Sequence, residues 1–185
     1  MKKQTIIAAV AAALVSAGCL LMVQPACAAA DVQVAFSPDG GAERLVLGTI
    51  NGAKRSIRVM AYSFTAEPVV RALILAKRRG VDVAVTVDYR SNIDEDRSGR
   101  ARAALGALAY AGVPVRVVKA FAIQHSKYLI ADDATVESGS YNYTSMAARY
   151  NSENALVIRG DTELAARYLE NWTQVSRLGE PYRAP

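Results

Sequence analysis

"VDVAVTVD", Val81–Asp88, is rich in β-branched residues and almost continuously apolar from Val83 to Val87, where only Thr86 interrupts, with Gly80 before it and a charged segment after it. A strand apolar on both faces belongs in the middle of a sheet covered on both sides, which predicts a central strand of an α/β domain ending at Asp88. Working outward, the segment before it reads as a helix with Pro68 in its first turn, Thr65 as cap and Gly80 as terminator, preceded by the strand "SIRVMAYSF" (56–64). After it, "YRSNIDEDRSGR" (89–100) loses all periodicity and reads as a loop; a helix over about Arg102–Ala111 and the strand "VPVRVV" (113–118) follow. Nearer the ends, "VQVAF" (32–36) reads as a first strand and Gly41–Ala53 as a helix carrying Leu45, Val46 and Ile50. "ENALVI" (153–158) reads as another strand, and Asp161 as the cap of a final helix reaching about Arg177. Strands alternating with helices predict one mixed β-sheet with helices on both faces, in a single α/β domain without internal repeats.

Residues 1–30 stand apart. Lys2 and Lys3 precede an apolar run from Ile6 to Val23, and "QPACAAA" offers small-residue cleavage sites after Ala28 or Ala30, so this segment reads as a cleaved signal peptide. The alternative is an uncleaved membrane anchor, since the run is close to spanning length; Pro25 and the Ala-x-Ala pattern favour cleavage. The expected location is therefore the periplasm or the medium, with no stable membrane association after cleavage. Cys19 and Cys27 both fall in the removed segment, so the mature chain, residues 31–185, carries no thiol and no disulfide. About 155 residues suffice for one core. Loss of Lys2 and Lys3 lowers the formal charge from +5 to about +3, an excess compatible with a polyanionic substrate without identifying one.

The chemistry concentrates in "IQHSKYLIADDATVESGSYNYT", Ile123–Thr144, which reads as two strands and a turn. His125 is the only histidine in the chain. In a strand, residues two apart share a face, so His125 and Lys127 should project together. Asp132 follows, then Gly139 for a tight turn, with Ser140 and Asn142 as hydroxyl and amide donors at its lip. A phosphodiester under attack gathers charge on its equatorial oxygens and needs cationic and neutral donors around it, which Lys127, Ser140 and Asn142 supply. Imidazole can attack phosphorus or move protons near neutral pH without a metal. The acidic groups "DED" (94–96) and "DD" (132–133) lack a histidine partner and read as solvated loop charge, so neither metal nor cofactor is expected.

His-x-Lys, four residues, Asp, six residues, Gly-Ser-x-Asn resembles the signature of the phospholipase D superfamily. "SIRVMAYSFT", "AKRRGVDV", "TVESGSYNYT" and "NSENALVI" are similar to successive blocks of its small exported bacterial endonucleases, the Nuc-type, EDTA-resistant nucleases. The loop "SNIDEDRSGRAR" (91–102) looks longer and more charged than in that family. The resemblance implies that His125 forms a phosphohistidine or protonates the leaving oxygen, that Lys127, Ser140 and Asn142 hold phosphoryl oxygens, and that Glu153 accepts a hydrogen bond from the far nitrogen of an imidazole. Asp132 is read as structural, paired with a nearby cation. Because that mechanism uses two facing motifs and this chain has one, it implies a homodimer with one shared active site. The expected activity is metal-independent endonucleolytic hydrolysis of DNA, with RNA as a further candidate and little sequence specificity. The alternatives are a phospholipase D-type lipid phosphodiesterase and a non-catalytic nucleic-acid-binding module.

Away from the motif, Tyr62 and Ser63 end the second strand, where open α/β sheets place ligand-contacting groups, and are candidate substrate contacts. Tyr141, Tyr143 and Tyr150 could stack on bases, Tyr141 being the candidate nearest the motif, although tyrosines beside turns are more often packing. "AKRRG" (76–80) reads as a basic helix end and Trp172 as core.

Overall fold

The apolar run is strand β3 (Asp82–Asp88), sixth in an eight-stranded mixed sheet, in a computed structural model that describes residues 30–184. The segment expected to be a signal peptide lies outside the described residues apart from Ala30. In chain order the other elements are β1 (Asp31–Ser37), α1 (Gly41–Gly52), β2 (Ser56–Ala61), α2 (Glu67–Arg78), α3 (Arg100–Tyr110), β4 (Val115–Val118), β5 (Tyr128–Ala131), β6 (Thr135–Gly139), α4 (Ser145–Arg149), β7 (Glu153–Arg159), α5 (Thr162–Arg177) and β8 (Glu180–Pro181). The sheet order is β1-β7-β6-β5-β2-β3-β4-β8, with β2, β3 and β4 parallel and every other pair antiparallel. Among the described residues no helix is long and apolar enough to cross a membrane.

Helices cover both faces, as expected, but unequally. Val46 and Ile50 of α1, Val69 and Leu73 of α2, Leu105 and Leu108 of α3 and Ala147 of α4 pack with Val83, Val85 and Val87 into the main core. Each fully buried valine or leucine there contributes about 1.5–3 kcal/mol. On the opposite face α5 alone covers Met60, Tyr128, Ile130 and Val136, using Ala165, Leu169 and Trp172. Trp172 Nε1 donates to the Val59 carbonyl at 2.9 Å, which pins α5 across β2.

Four local expectations are corrected. Asp161 does cap α5, accepting from Leu164 N at 2.9 Å, but Thr65 does not cap α2: the cap position is Ala66, and the amides of Thr65 and Ala66 both donate to Tyr143 O at 2.8 Å. The loop after β3 contains one helical turn, Arg90–Asp94, held because buried Asn92 bridges Tyr62 O, Asp88 O and Phe64 N. Asp96 is not solvated: it is buried and accepts from Arg102 N at 2.9 Å and Ser98 Oγ at 3.0 Å, anchoring the start of α3. Finally, β5 begins at Tyr128, so His125 and Lys127 precede the strand rather than lie within it.

Candidate active site

Segment 124–127 is placed by hydrogen bonds, not by strand pairing. Buried Asp88, at the end of β3, accepts from Gln124 N at 2.9 Å through one oxygen and from Ser91 N at 2.6 Å through the other. The Gln124 amide, oriented to satisfy its neighbours, donates to Ala61 O at 2.9 Å and accepts from Ser126 N at 3.2 Å. The ends of β2 and β3 thus seat the backbone that carries His125.

The two motif side chains meet as expected, although through a different backbone. Lys127 Nζ lies 3.1 Å from His125 Nδ1 and donates to His125 O at 2.6 Å. An ammonium can only donate, so Nδ1 accepts and a neutral imidazole carries its proton on the outward Nε2. Tyr62 forms a wall behind both groups: its ring is 4.6 Å from the imidazole and 5.1 Å from Lys127 Nζ. Burial lowers the Lys127 pKa below that of an ordinary lysine, while the nearby Glu153 charge opposes the shift.

Ser140 and Glu153 arrive from adjacent strands. Ser140 Oγ donates to Glu153 Oε2 at 2.6 Å and accepts from Asn154 N at 3.1 Å; Asn151 Nδ2 donates to the other Glu153 oxygen at 2.9 Å. Within the chain Glu153 therefore bonds Ser140 and Asn151, not an imidazole, because it stands at the start of β7 while His125 sits before β5 with Lys127 on its Nδ1. Gly139 does not serve a tight turn. A Cβ at Gly139 would lie 2.3 Å from Asn154 O and 2.8 Å from Asn154 Oδ1, so glycine is required by the closeness of β6 and β7. Asn142 lines the same cleft, and its buried Oδ1 has no hydrogen-bond partner among the described residues.

His125, Lys127, Gly139, Ser140, Asn142 and Glu153 all border one open cleft of about 820 Å³. Its opposite wall is α5, through Leu164, Arg167, Tyr168 and Asn171, with Tyr128 and Ser138 on the floor. The α5 residues were not anticipated: they sit on a helix that reads as ordinary amphipathic cover. Gln124 and Asp88 were missed as well, since only the tertiary hydrogen bonds reveal their role.

Three candidates lie elsewhere. Asp132 is outside the cleft at the far end of β5, where its carboxylate accepts from the backbone N–H groups of Lys54, Arg55 and Ser56 at 2.6–3.1 Å. The nearby cation Arg55 bonds the Asp132 carbonyl rather than its carboxylate. Ser63 is half-buried and does not border the cleft. Tyr141 is fully buried with its ring 5.9 Å from that of Tyr143, also buried, so neither offers a face to a base, whereas Tyr150 is exposed. Among the described residues no cluster of three or more His, Cys, Asp or Glu side chains is arranged to hold a metal.

Several known proteins resemble the chain in sequence or fold. Residues 46–175 match the family described as cardiolipin synthase, PLD-like domain. The crystal structure of a phospholipase D family member, Nuc from Salmonella typhimurium, is 46% identical, covering 83% of this chain and 99% of that one with a TM-score of 0.80. NucT from Helicobacter pylori, 23% identical with a TM-score of 0.71 over 83% of this chain and 99% of its own, shares the fold. A phospholipase D of Rickettsia conorii is 36% identical over 76% of this chain and 67% of its own length. A mitochondrial cardiolipin hydrolase of Xenopus laevis is 32% identical over 78% of this chain and 63% of its own length.

Proposed function

The chain belongs to the phospholipase D superfamily and is one of its phosphodiesterases, and from that premise we propose that it hydrolyses the backbone of DNA, with RNA as a further substrate, without a metal. The observation that carries the reading is the His125–Lys127 pair, 3.1 Å apart, bordering one open cleft together with Ser140, Asn142 and Glu153. The high identity to Nuc over almost that protein's whole length supports a nuclease of the Nuc type. Affinity resting on phosphate contacts gives little sequence preference and falls with salt.

In the proposed reaction an imidazole nitrogen of one His125 forms a bond to phosphorus as the bond to the leaving oxygen breaks, and His125 of a second copy gives that oxygen its proton. The second imidazole then removes a proton from water, whose oxygen displaces the first imidazole and restores it. Lys127, Ser140 and Asn142 stabilise the charge on the phosphoryl oxygens. The second His125 enters as the imidazolium, so that giving its proton to the leaving oxygen leaves a neutral ring able to take the next proton from water. The attacking ring needs its proton on Nδ1, which becomes available when Lys127 Nζ turns from the ring to a bound phosphoryl oxygen. Glu153 is left for the imidazole of the second copy.

Two features support the second copy. The chain has a single histidine for a reaction that uses two. The sheet face that carries Tyr128 and Ser138 also continues past α5 through Leu156 to Val32, Val34 and Phe36, each more than half exposed, beside the cleft. A two-fold contact on that face would cover these side chains and bring two clefts together.

The second reading, lipid hydrolysis, is favoured by Phe121 and Ile123, 45% and 47% exposed immediately before His125. One preparation assayed in excess chelator on plasmid DNA and on phosphatidylcholine vesicles separates the two. Plasmid nicking without headgroup release is expected, with a loss on the order of 10³-fold or more in His125→Ala. Headgroup release without nicking, or loss of all activity in chelator, would overturn the proposal.

A further inference from the structure

The chemical groups line only one side of the cleft, and its volume of about 820 Å³ is far more than one phosphoryl group needs. The other side is a stripe of α5 with the spacing i, i+3, i+4, i+7: Leu164, Arg167, Tyr168 and Asn171. Asn171 is oriented from below. The hydroxyl of Tyr128, 4% exposed on the cleft floor, donates to Asn171 Oδ1 at 2.7 Å. Burial raises the Tyr128 pKa well above its ordinary value, so the phenol remains a donor at working pH. With the carbonyl committed, the carboxamide presents its Nδ2 donors, which have no partner among the described residues.

Arg167 is available in a different sense. Its one ion pair among the described residues, with Glu163 at 2.9 Å, is highly exposed on both sides (75% and 80%). Such a pair holds about 0.2–1 kcal/mol, and a phosphate that accepts two parallel N–H bonds displaces it readily. Between these two polar groups Tyr168 is fixed by edge-to-face contact with Tyr128, ring centroids 4.9 Å apart, giving a rigid aromatic surface for a sugar or base.

We propose that the α5 wall is a nucleotide subsite: Arg167 binds the phosphate next along the strand from the scissile one, and Asn171 Nδ2 donates to the nucleotide between them. The inference rests on the nuclease reading and adds to it a reason for the enzyme to prefer a strand over an isolated diester. A phosphodiester with no neighbouring phosphate leaves Arg167 without a ligand.

The test compares kcat/KM for a labelled hexanucleotide with that for bis(p-nitrophenyl) phosphate, using the full chain. Arg167→Ala and Asn171→Ala should each lower the ratio of the two by about tenfold, the scale of one charge-assisted contact. Tyr128→Phe, which keeps the buried ring and removes only the hydroxyl that aims Asn171, should lower it by about threefold. In Arg167→Ala the salt slope of hexanucleotide binding should also become shallower by about 0.7, the value for one phosphate contact on a single strand. An unchanged ratio in all three variants, whether both substrates decline together or neither does, would overturn the subsite while leaving the nuclease reading intact. Wild-type turnover of the small diester without any cleavage of the hexanucleotide would overturn both.

Discussion

Asp132 shows how one residue of a catalytic signature can serve the fold alone. It stands with Asp133 in a left-handed turn, φ 56° and 57°, and gathers the amides of Lys54, Arg55 and Ser56 where β2 begins. Burial pushes its carboxyl up, but the three backbone N–H groups and the Arg55 charge outweigh that and hold its pKa below the ordinary value. A carboxyl depressed on folding contributes stability above its unfolded pKa, and that contribution is lost as pH falls through the depressed value. Asp132→Asn should therefore cost about 2 kcal/mol, or about 5 °C in Tm, at pH 7, with the gap to wild type closing below about pH 4. The folded enzyme should keep its kcat. A large kcat loss at unchanged Tm, followed by thermal melts and plasmid nicking in parallel, would put Asp132 back in the chemistry. His125 and Lys127 are the opposite case, residues whose mutual 3.1 Å contact has no evident structural purpose.

At the scale of elements, the cleft depends on how closely β6 and β7 approach. Gly139→Ala would drive a Cβ into the Asn154 backbone and separate the strands that carry Ser140 and Glu153. Overpacking of this kind costs about 1–3 kcal/mol, so a clear fall in Tm and about tenfold in kcat is expected; wild-type values for both, by calorimetry and plasmid nicking, would contradict the close approach. The long elements were legible from their apolar patterning, a nearly continuous run in β3 and a period of 3.6 in α5. The five-residue α4 and two-residue β8 are too short to show a period. Thr65 and the start of β5 were misplaced because tertiary hydrogen bonds to Tyr143 O and Asp88 outrank local propensity there. The same limit explains the site. His125, Lys127, Ser140, Asn142 and Glu153 were readable from one cluster of spacings, whereas the α5 wall comes from a helix whose surface pattern carries no chemical signature.

Across the whole molecule, asymmetry is the informative property. Among the described residues four helices pack on one sheet face and a single helix on the other, leaving Val32, Val34 and Phe36 exposed beside a cleft with one imidazole. Both features are accounted for if two chains share one site. The most direct measurement is the stoichiometry of the covalent intermediate, trapped by denaturing alkaline quench of the full chain reacting with a DNA oligonucleotide labelled at an internal phosphate. The proposal predicts label on His125 at a limit of one phosphoryl group per two chains, and none in His125→Ala. One label per chain, or full activity from a species that sediments as a monomer, would contradict it.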